Sequence, residues 1–166
     1  HVEDENDRVY AANVNALDNE IGRIIKAIED EGLLEETIIL FFSDNGPLFN
    51  INPIFKLVAP DLVNAKGSTA GLSGSKGSAL EGGIRVPAVI WWKGIIENEK
   101  SDQFFFVQDV LPTLLTAANI KTSEADKFDG EDKWSNLLSG QIVPPKNAFV
   151  GARIMFDERA LFNDQW

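Results

Sequence analysis

The sequence contains no cysteine. Disulfides, zinc–thiolate sites and cysteine nucleophiles are therefore excluded within these 166 residues. There is one histidine, His1, at the very start. A base or ligand role is conceivable for it, but it has no supporting neighbours and a frayed end is the default. No run approaches 18 apolar residues, so no segment reads as a bilayer span. Positive charge is scarce: 15 Lys and Arg stand against 26 Asp and Glu, a formal charge of −11. That balance argues against nucleic acid as a partner, because non-specific binding draws on Lys and Arg to neutralise phosphates. No basic amphipathic stretch is present for an anionic membrane. Asn-x-Ser/Thr sequons are absent, and no signal-peptide pattern is visible. The chain opens on His1-Val2-Glu3-Asp4 rather than on Met, which reads as a processed terminus or the cut edge of a longer protein.

What is present is globular. The chain is 44% hydrophobic, 25% charged and 10% aromatic, which excludes a disordered acidic tail. Its length suits one domain or a piece of a larger one. Val14, Leu17, Ile21, Ile24, Ile25 and Ile28 recur at steps of three and four, predicting a helix over 8–31 that Gly32 ends. A continuous apolar run follows, Thr37 to Ser43. It predicts a strand buried on both faces, as in a parallel sheet covered by helices. Helix, short turn and buried strand make half of an α/β unit.

The stretch from Leu48 to Ser75 has no clean period and ends in a glycine- and serine-rich loop. Loops of this length tend to be functional or mobile. A second strand is predicted over 86–92, with Pro87 near its start. A helix is predicted over 110–118, with Asp109 as its N-cap, Pro112 in its first turn and Asn119 at its stop. A further strand is predicted over 148–156. A weak boundary falls between Lys121 and Phe128.

Three groups carry candidate chemistry. Asp44 and Asn45 stand at the carboxyl end of a strand, where ligand sites of open α/β sheets lie. A carboxylate beside an amide offers hard oxygens, suited to calcium or magnesium rather than zinc. The same Asp-Asn-Gly also reads as a plain turn. Lys76 follows the glycine-rich loop and can present a point charge to an anionic oxygen. It also reads as a solvated surface lysine. Glu81, Gly82, Gly83 and Arg85 form the third group. Paired glycines suggest positive φ or very close packing, and Glu81 and Arg85 can pair across the turn. Trp91 and Trp92 read as packing residues.

Together these segments resemble the sulfatase family, its arylsulfatase branch most of all. The resemblance rests on Tyr10-Ala11-Ala12-x-Val14-x-Ala16-Leu17-Asp18-x-x-Ile21-Gly22 and on Ser43-Asp44-Asn45-Gly46. Its most specific part is Gly74-Ser75-Lys76-Gly77-x-x-x-Glu81-Gly82-Gly83-Ile84-Arg85-Val86-Pro87. Asp109 to Leu115, Asp129-Gly130 and Leu137 to Gly140 extend it in the family's order. The resemblance implies an alkaline-phosphatase-like α/β sandwich: a central, mostly parallel sheet flanked by helices. Residues 1–122 would be the C-terminal part of its large domain. Residues 123–166 would begin a smaller C-terminal α+β subdomain. It implies that Asp44 and Asn45 ligate a divalent ion, Ca2+, and that Lys76 is the catalytic-site lysine contacting the substrate's sulfate. The implied reaction is hydrolysis of a sulfate ester, of a small molecule or a glycan, by a formylglycine nucleophile. Family habit implies export or a lysosomal location.

Departures accompany the resemblance. Formylglycine arises in a Cys/Ser-x-Pro-x-Arg motif, which this sequence lacks. The family's other metal-binding aspartates and its active-site His come from a part preceding this chain, and His1 does not match that His. The interval from Asn45 to Lys76 is long for the family. The expectation is a fragment that is inactive and poorly folded by itself. Two rival readings stand beside it. A phosphatase or phosphonate monoester hydrolase of the same superfamily would carry Asp-His in place of Asp44-Asn45. A catalytically inactive homologue would act as an acidic binding module.

Overall fold

The computed structural model describes residues 5–48, 67–123, 126–145, 148–153 and 157–162. Two compact units are present: His1–Lys93 with Gly151–Ala160, and Gly94–Val150 with Leu161–Trp166.

The first unit opens with α1 (Glu5–Asp30). It starts a few residues before the predicted onset, and Glu5 and Asp7 place negative charge at the positive end of its dipole. Its apolar stripe is real but only partly covered: Ile21, Ile25 and Ile28 are half-buried. Val14, Leu17 and Ile24 are 48%, 51% and 62% exposed, and no described residue of α1 is buried. Gly32 ends the helix at φ 71°, donating to the Glu29 carbonyl while Leu33 donates to that of Ile28. This 5→2 and 6→1 pairing satisfies carbonyls that the last turn leaves open.

A short 3₁₀ turn (Leu34–Glu36) leads to β1 (Ile39–Phe42). The one-turn helix α2 (Glu81–Ile84) precedes β2 (Ala88–Trp91). The two strands pair antiparallel, with Ile39 opposite Trp91 and Phe42 opposite Ala88. This differs from the expectation of a strand between parallel neighbours and buried on both faces. Among the described residues β1 has this single partner, and Phe41 and Phe42 are each 40% exposed. Burial on both faces needs a complete layer on each side, and these rings are only partly covered. Pro87 has no N–H to give, yet its carbonyl accepts the Ser43 N–H at 3.3 Å and extends the ladder. At the other end the Trp92 indole donates to the Glu35 carbonyl at 2.6 Å. Trp92 is thus half-buried with its polar handle satisfied.

In the second unit a 3₁₀ turn (Val107–Asp109) runs directly into α3 (Val110–Ala117). Asp109 does hold the N-cap position of α3, but its carboxylate does not bond that helix. The preceding turn already supplies the Val107 carbonyl to the Val110 N–H. The carboxylate instead accepts the Phe106 N–H at 2.9 Å and the Glu131 N–H at 2.8 Å. Thr113 is fully buried, and its hydroxyl oxygen accepts the Lys133 N–H at 2.9 Å. The Lys133 ammonium, itself buried, reaches the Glu131 carboxylate at 2.7 Å. Asn119 stops α3 at φ 54°, as its tolerance of left-handed backbone allows. The helix α4 (Trp134–Ser139) follows. Later in the chain, β3 (Ala148–Arg153) and β4 (Asp157–Phe162), whose residues 151–153 and 157–160 are counted with the first unit, pair as a second two-stranded sheet.

Candidate active site

The site begins where β1 runs out. Phe42 is the last ladder residue, and Ser43, Asp44 and Asn45 turn away from the sheet. The Ser43 hydroxyl donates to the Asn45 carbonyl at 3.1 Å, which fixes the turn. The Asn45 side-chain N–H donates to the Gly46 carbonyl at 2.9 Å. That bond engages Nδ2 and turns Oδ1 away from it. Asp44 is exposed and Asn45 half-buried. The Asp-Asn-Gly segment is thus a turn, with Asp44 exposed and the Asn45 amide fastened through its N–H.

Gly46 anchors this turn to the rest of the unit. It is buried, and its N–H donates to the Gly83 carbonyl at 2.8 Å. Just beyond it, the Pro47 carbonyl accepts the Lys76 N–H at 3.0 Å. The lysine loop is thereby brought to the Asp44–Asn45 turn, although the long loop separates them in sequence. Residues 49–66 of that loop lie outside the described residues, as does His1. The Lys76 side chain is exposed. Its loop is held from beneath by Gly82, whose N–H donates to the Ser73 carbonyl at 2.7 Å, and by Ser78, bonded through its N–H to the Ser75 carbonyl at 2.9 Å.

The Gly82-Gly83 pair resolves in favour of close packing, since neither residue has positive φ. Both are buried beside Ala79, which is 3% exposed. Glu81 and Arg85 do pair, at 3.5 Å, on an exposed face where such a pair contributes little. Ser43, Ser73 and Ser75 are the supporting residues that pattern reading passed over. A serine at the end of an apolar strand gives no signal of its own until the turn it fastens is known.

Asp44 and Asn45 fit part of a calcium shell. Their donors are hard oxygens, and calcium takes roughly six to eight of these. They cannot fill one alone, and the described residues contain no group of three or more His, Cys, Asp or Glu able to hold a metal. No helix among the described residues is long and apolar enough to cross a membrane.

The sulfatase family profile matches residues 2–120. The chain belongs to the sulfatase family. An uncharacterized sulfatase of Schizosaccharomyces pombe, PB10D8.02c, is 36% identical over 92% of this chain and 33% of its own length. Human arylsulfatase A is 35% identical over 84% of this chain and 25% of its own. The sulfatase chain thus spans about a quarter to a third of these curated relatives. Among solved structures, Ps i-CgsB superposes on 99% of this chain and 34% of its own, with a TM-score of 0.79 at 23% identity. The same protein has been solved in complex with k-i-k-neocarrahexaose, where the TM-score is 0.74 at 22% identity over 99% of this chain and 36% of that one. At that identity the likeness shows the fold, which is the expected alkaline-phosphatase-like α/β class.

Proposed function

We propose that this sulfatase-family chain supplies one wall of the active site of a sulfate-ester hydrolase. Asp44 and Asn45 offer a carboxylate and an amide oxygen to a calcium ion, and Lys76 contacts the sulfate group of the substrate. The observation that carries this reading is the Lys76 N–H to Pro47 carbonyl bond at 3.0 Å, which holds the lysine loop against the Asp44–Asn45 turn. Bound calcium would supply electrostatic stabilisation to sulfuryl oxygens. Lys76 would add a second, fixed positive charge to oxygens that gain negative charge as the ester bond breaks. The turn and the loop meet through backbone bonds, so these groups would be placed before substrate arrives.

The nucleophile is not among these residues, because no Cys/Ser-x-Pro-x-Arg motif occurs in the chain. Formylglycine in a longer polypeptide completes the proposal. Residues 1–122 would then belong to the large domain, and 123–166 to the start of the smaller one. The substrate class is a sulfate ester, of a small molecule or a glycan. The glycan option is favoured by the fold neighbour solved with k-i-k-neocarrahexaose.

The test has two steps. The intact mass of the native protein and its reading frame upstream of His1 are determined first. A longer chain carrying the Cys/Ser-x-Pro-x-Arg motif supports the reading. A native chain that begins at His1 overturns it. In the longer protein, sulfate-ester turnover should depend on calcium and fall on Asp44→Ala. A strong preference for zinc over calcium would instead favour a phosphatase-type hydrolase.

A further inference from the structure

We infer that Gly82 and Gly83 are positioning residues that tie the Asp44–Asn45 turn to the Lys76 loop, an inference that rests on the proposed roles of those three residues. The dipeptide faces both ways. Toward the turn, the Gly83 carbonyl accepts the Gly46 N–H at 2.8 Å. A Cβ on Gly46 would run into the Gly82 carbonyl oxygen and lie 3.0 Å from the Gly83 Cα. Toward the loop, the Gly82 N–H donates to the Ser73 carbonyl at 2.7 Å. A Cβ on Gly82 would lie 2.7 Å from that oxygen and run into the Gly74 carbonyl. One on Gly83 would lie 2.5 Å from the Ser75 carbonyl oxygen and run into that of Ser78.

Every one of these neighbours is backbone, which cannot rotate aside as a side chain can. The space between the turn and the loop is the thickness of two bare glycines. An added methyl group must therefore move one of the two segments. A Cβ at position 82 points at the loop that carries Lys76. A Cβ at position 46 comes from the turn that carries Asp44 and Asn45. The contacts on the two sides of the dipeptide can thus be wedged open separately, and the two wedges act on different ligands.

The experiment measures calorimetric affinities of the full-length protein for calcium, and for inorganic sulfate at saturating calcium. Gly82→Ala should weaken sulfate roughly tenfold or more and leave calcium within about twofold, since displacing Lys76 removes a charged contact to the anion. Gly46→Ala should weaken calcium. In a Lys76→Ala background Gly82→Ala should cost no further sulfate affinity, because the charge it displaces is gone. A merely structural glycine would lower both affinities together, or add its loss to that of Lys76→Ala, and either result overturns the inference. If Gly82→Ala does not fold, Gly74→Ala tests the same loop. Its Cβ meets side-chain atoms, Leu80 Cβ at 2.8 Å and Ser78 Oγ at 2.9 Å, in a backbone of φ 87°. If Lys76→Ala and Asp44→Ala leave both affinities intact, the site reading itself fails, and the inference with it.

Discussion

Lys76 donates its backbone N–H to the carbonyl of Pro47 at 3.0 Å, so the lysine loop is fastened two residues beyond Asn45. The bond uses main-chain atoms alone. The Lys76 side chain remains exposed and available to a ligand. A substitution there should therefore separate function from stability. In the full-length protein, Lys76→Ala should lower kcat/KM for a sulfate ester by about 10²-fold, the scale for losing one fixed electrostatic contact to a developing oxyanion. Folding stability should change by less than about 0.5 kcal/mol, as for surface positions generally. Steady-state kinetics with a thermal melt checks both. Unchanged kinetics would remove Lys76 from the site.

Asp44 and Asn45 predict a ligand-linked stability. A cation that binds only the folded state stabilises by about 2.7 kcal/mol at one hundred times its dissociation constant. The full-length protein should therefore melt at a higher temperature with calcium than with chelator. Asp44→Ala and Asn45→Ala should each shrink that difference. Asp44→Ala should do so more, since it removes a charge as well as an oxygen. A calcium-dependent shift that survives both substitutions places the metal elsewhere.

How much of this was legible beforehand differs by element. The helix stop at Gly32 and the stop at Asn119 could be read directly, because each depends on one residue that tolerates left-handed backbone. Asp44, Asn45 and Lys76 could be singled out because hard oxygens at a strand end and a lysine after a glycine-rich loop have few common uses. That they share a site was implied by the family resemblance, but not by what means. The approach depends on backbone bonds from Gly46 to Gly83 and from Lys76 to Pro47, which no side-chain pattern announces. The antiparallel partner of β1 was missed for a related reason. A continuous apolar run reports burial on two faces, not the direction of the neighbouring strand. Asp109 illustrates a third case, in which the residue type was read correctly as a cap. Its partners are Phe106 and Glu131, the second supplied from far along the chain.

That network in the second unit predicts large stability effects at residues outside the proposed site. Asp109 is 3% exposed and accepts two backbone N–H groups. Asp109→Ala removes the acceptor of both N–H groups from a buried position, at about 1–3 kcal/mol in all. Thr113→Val keeps the shape but removes the acceptor of the Lys133 N–H, for about 1–3 kcal/mol. Denaturant melts of the full-length protein measure both. Calcium affinity should be unchanged in whatever fraction stays folded. Losses under 0.5 kcal/mol would mean that these bonds are replaced by water.

A pH effect is expected at Asp126. Its carboxylate accepts the Ser123 N–H at 2.7 Å and the Ser123 hydroxyl at 3.0 Å. The backbone bond first, and the hydroxyl bond second, hold its pKa below the ordinary aspartate value, against a small opposing effect of burial. The sign follows from linkage. The folded state binds this proton less readily than the unfolded one, so the contribution of these two bonds is complete above the ordinary aspartate pKa. It is lost as pH falls through the lowered value. The group is open to solvent, so the effect is local and small for the whole protein. An NMR titration of Asp126 should give a value below that of a free aspartate, and Ser123→Ala should raise it. An unshifted titration in the parent would show that the Ser123–Asp126 bonds do not hold in solution.

The uncovered faces of the first unit predict how residues 1–166 behave when expressed alone. Val14, Leu17 and Ile24 of α1 lie about half exposed or more, and Phe41 and Phe42 of β1 are 40% exposed. Contiguous apolar surface of this kind normally marks an interface. The relatives bring two thirds or more of their length beyond the matched part, enough to supply covering layers. Without such layers the same faces should meet one another. Purified 1–166 should bind a hydrophobic dye and elute as a concentration-dependent mixture rather than as a monomer. Paired substitutions Leu17→Glu and Ile24→Glu should shift it toward monomer, while the same pair in the full-length protein should destabilise it by several kcal/mol, because there the charges would be buried without partners. A monomeric 1–166 with a sharp, reversible melt would show instead that the stripe needs no cover and that these residues fold as an independent domain.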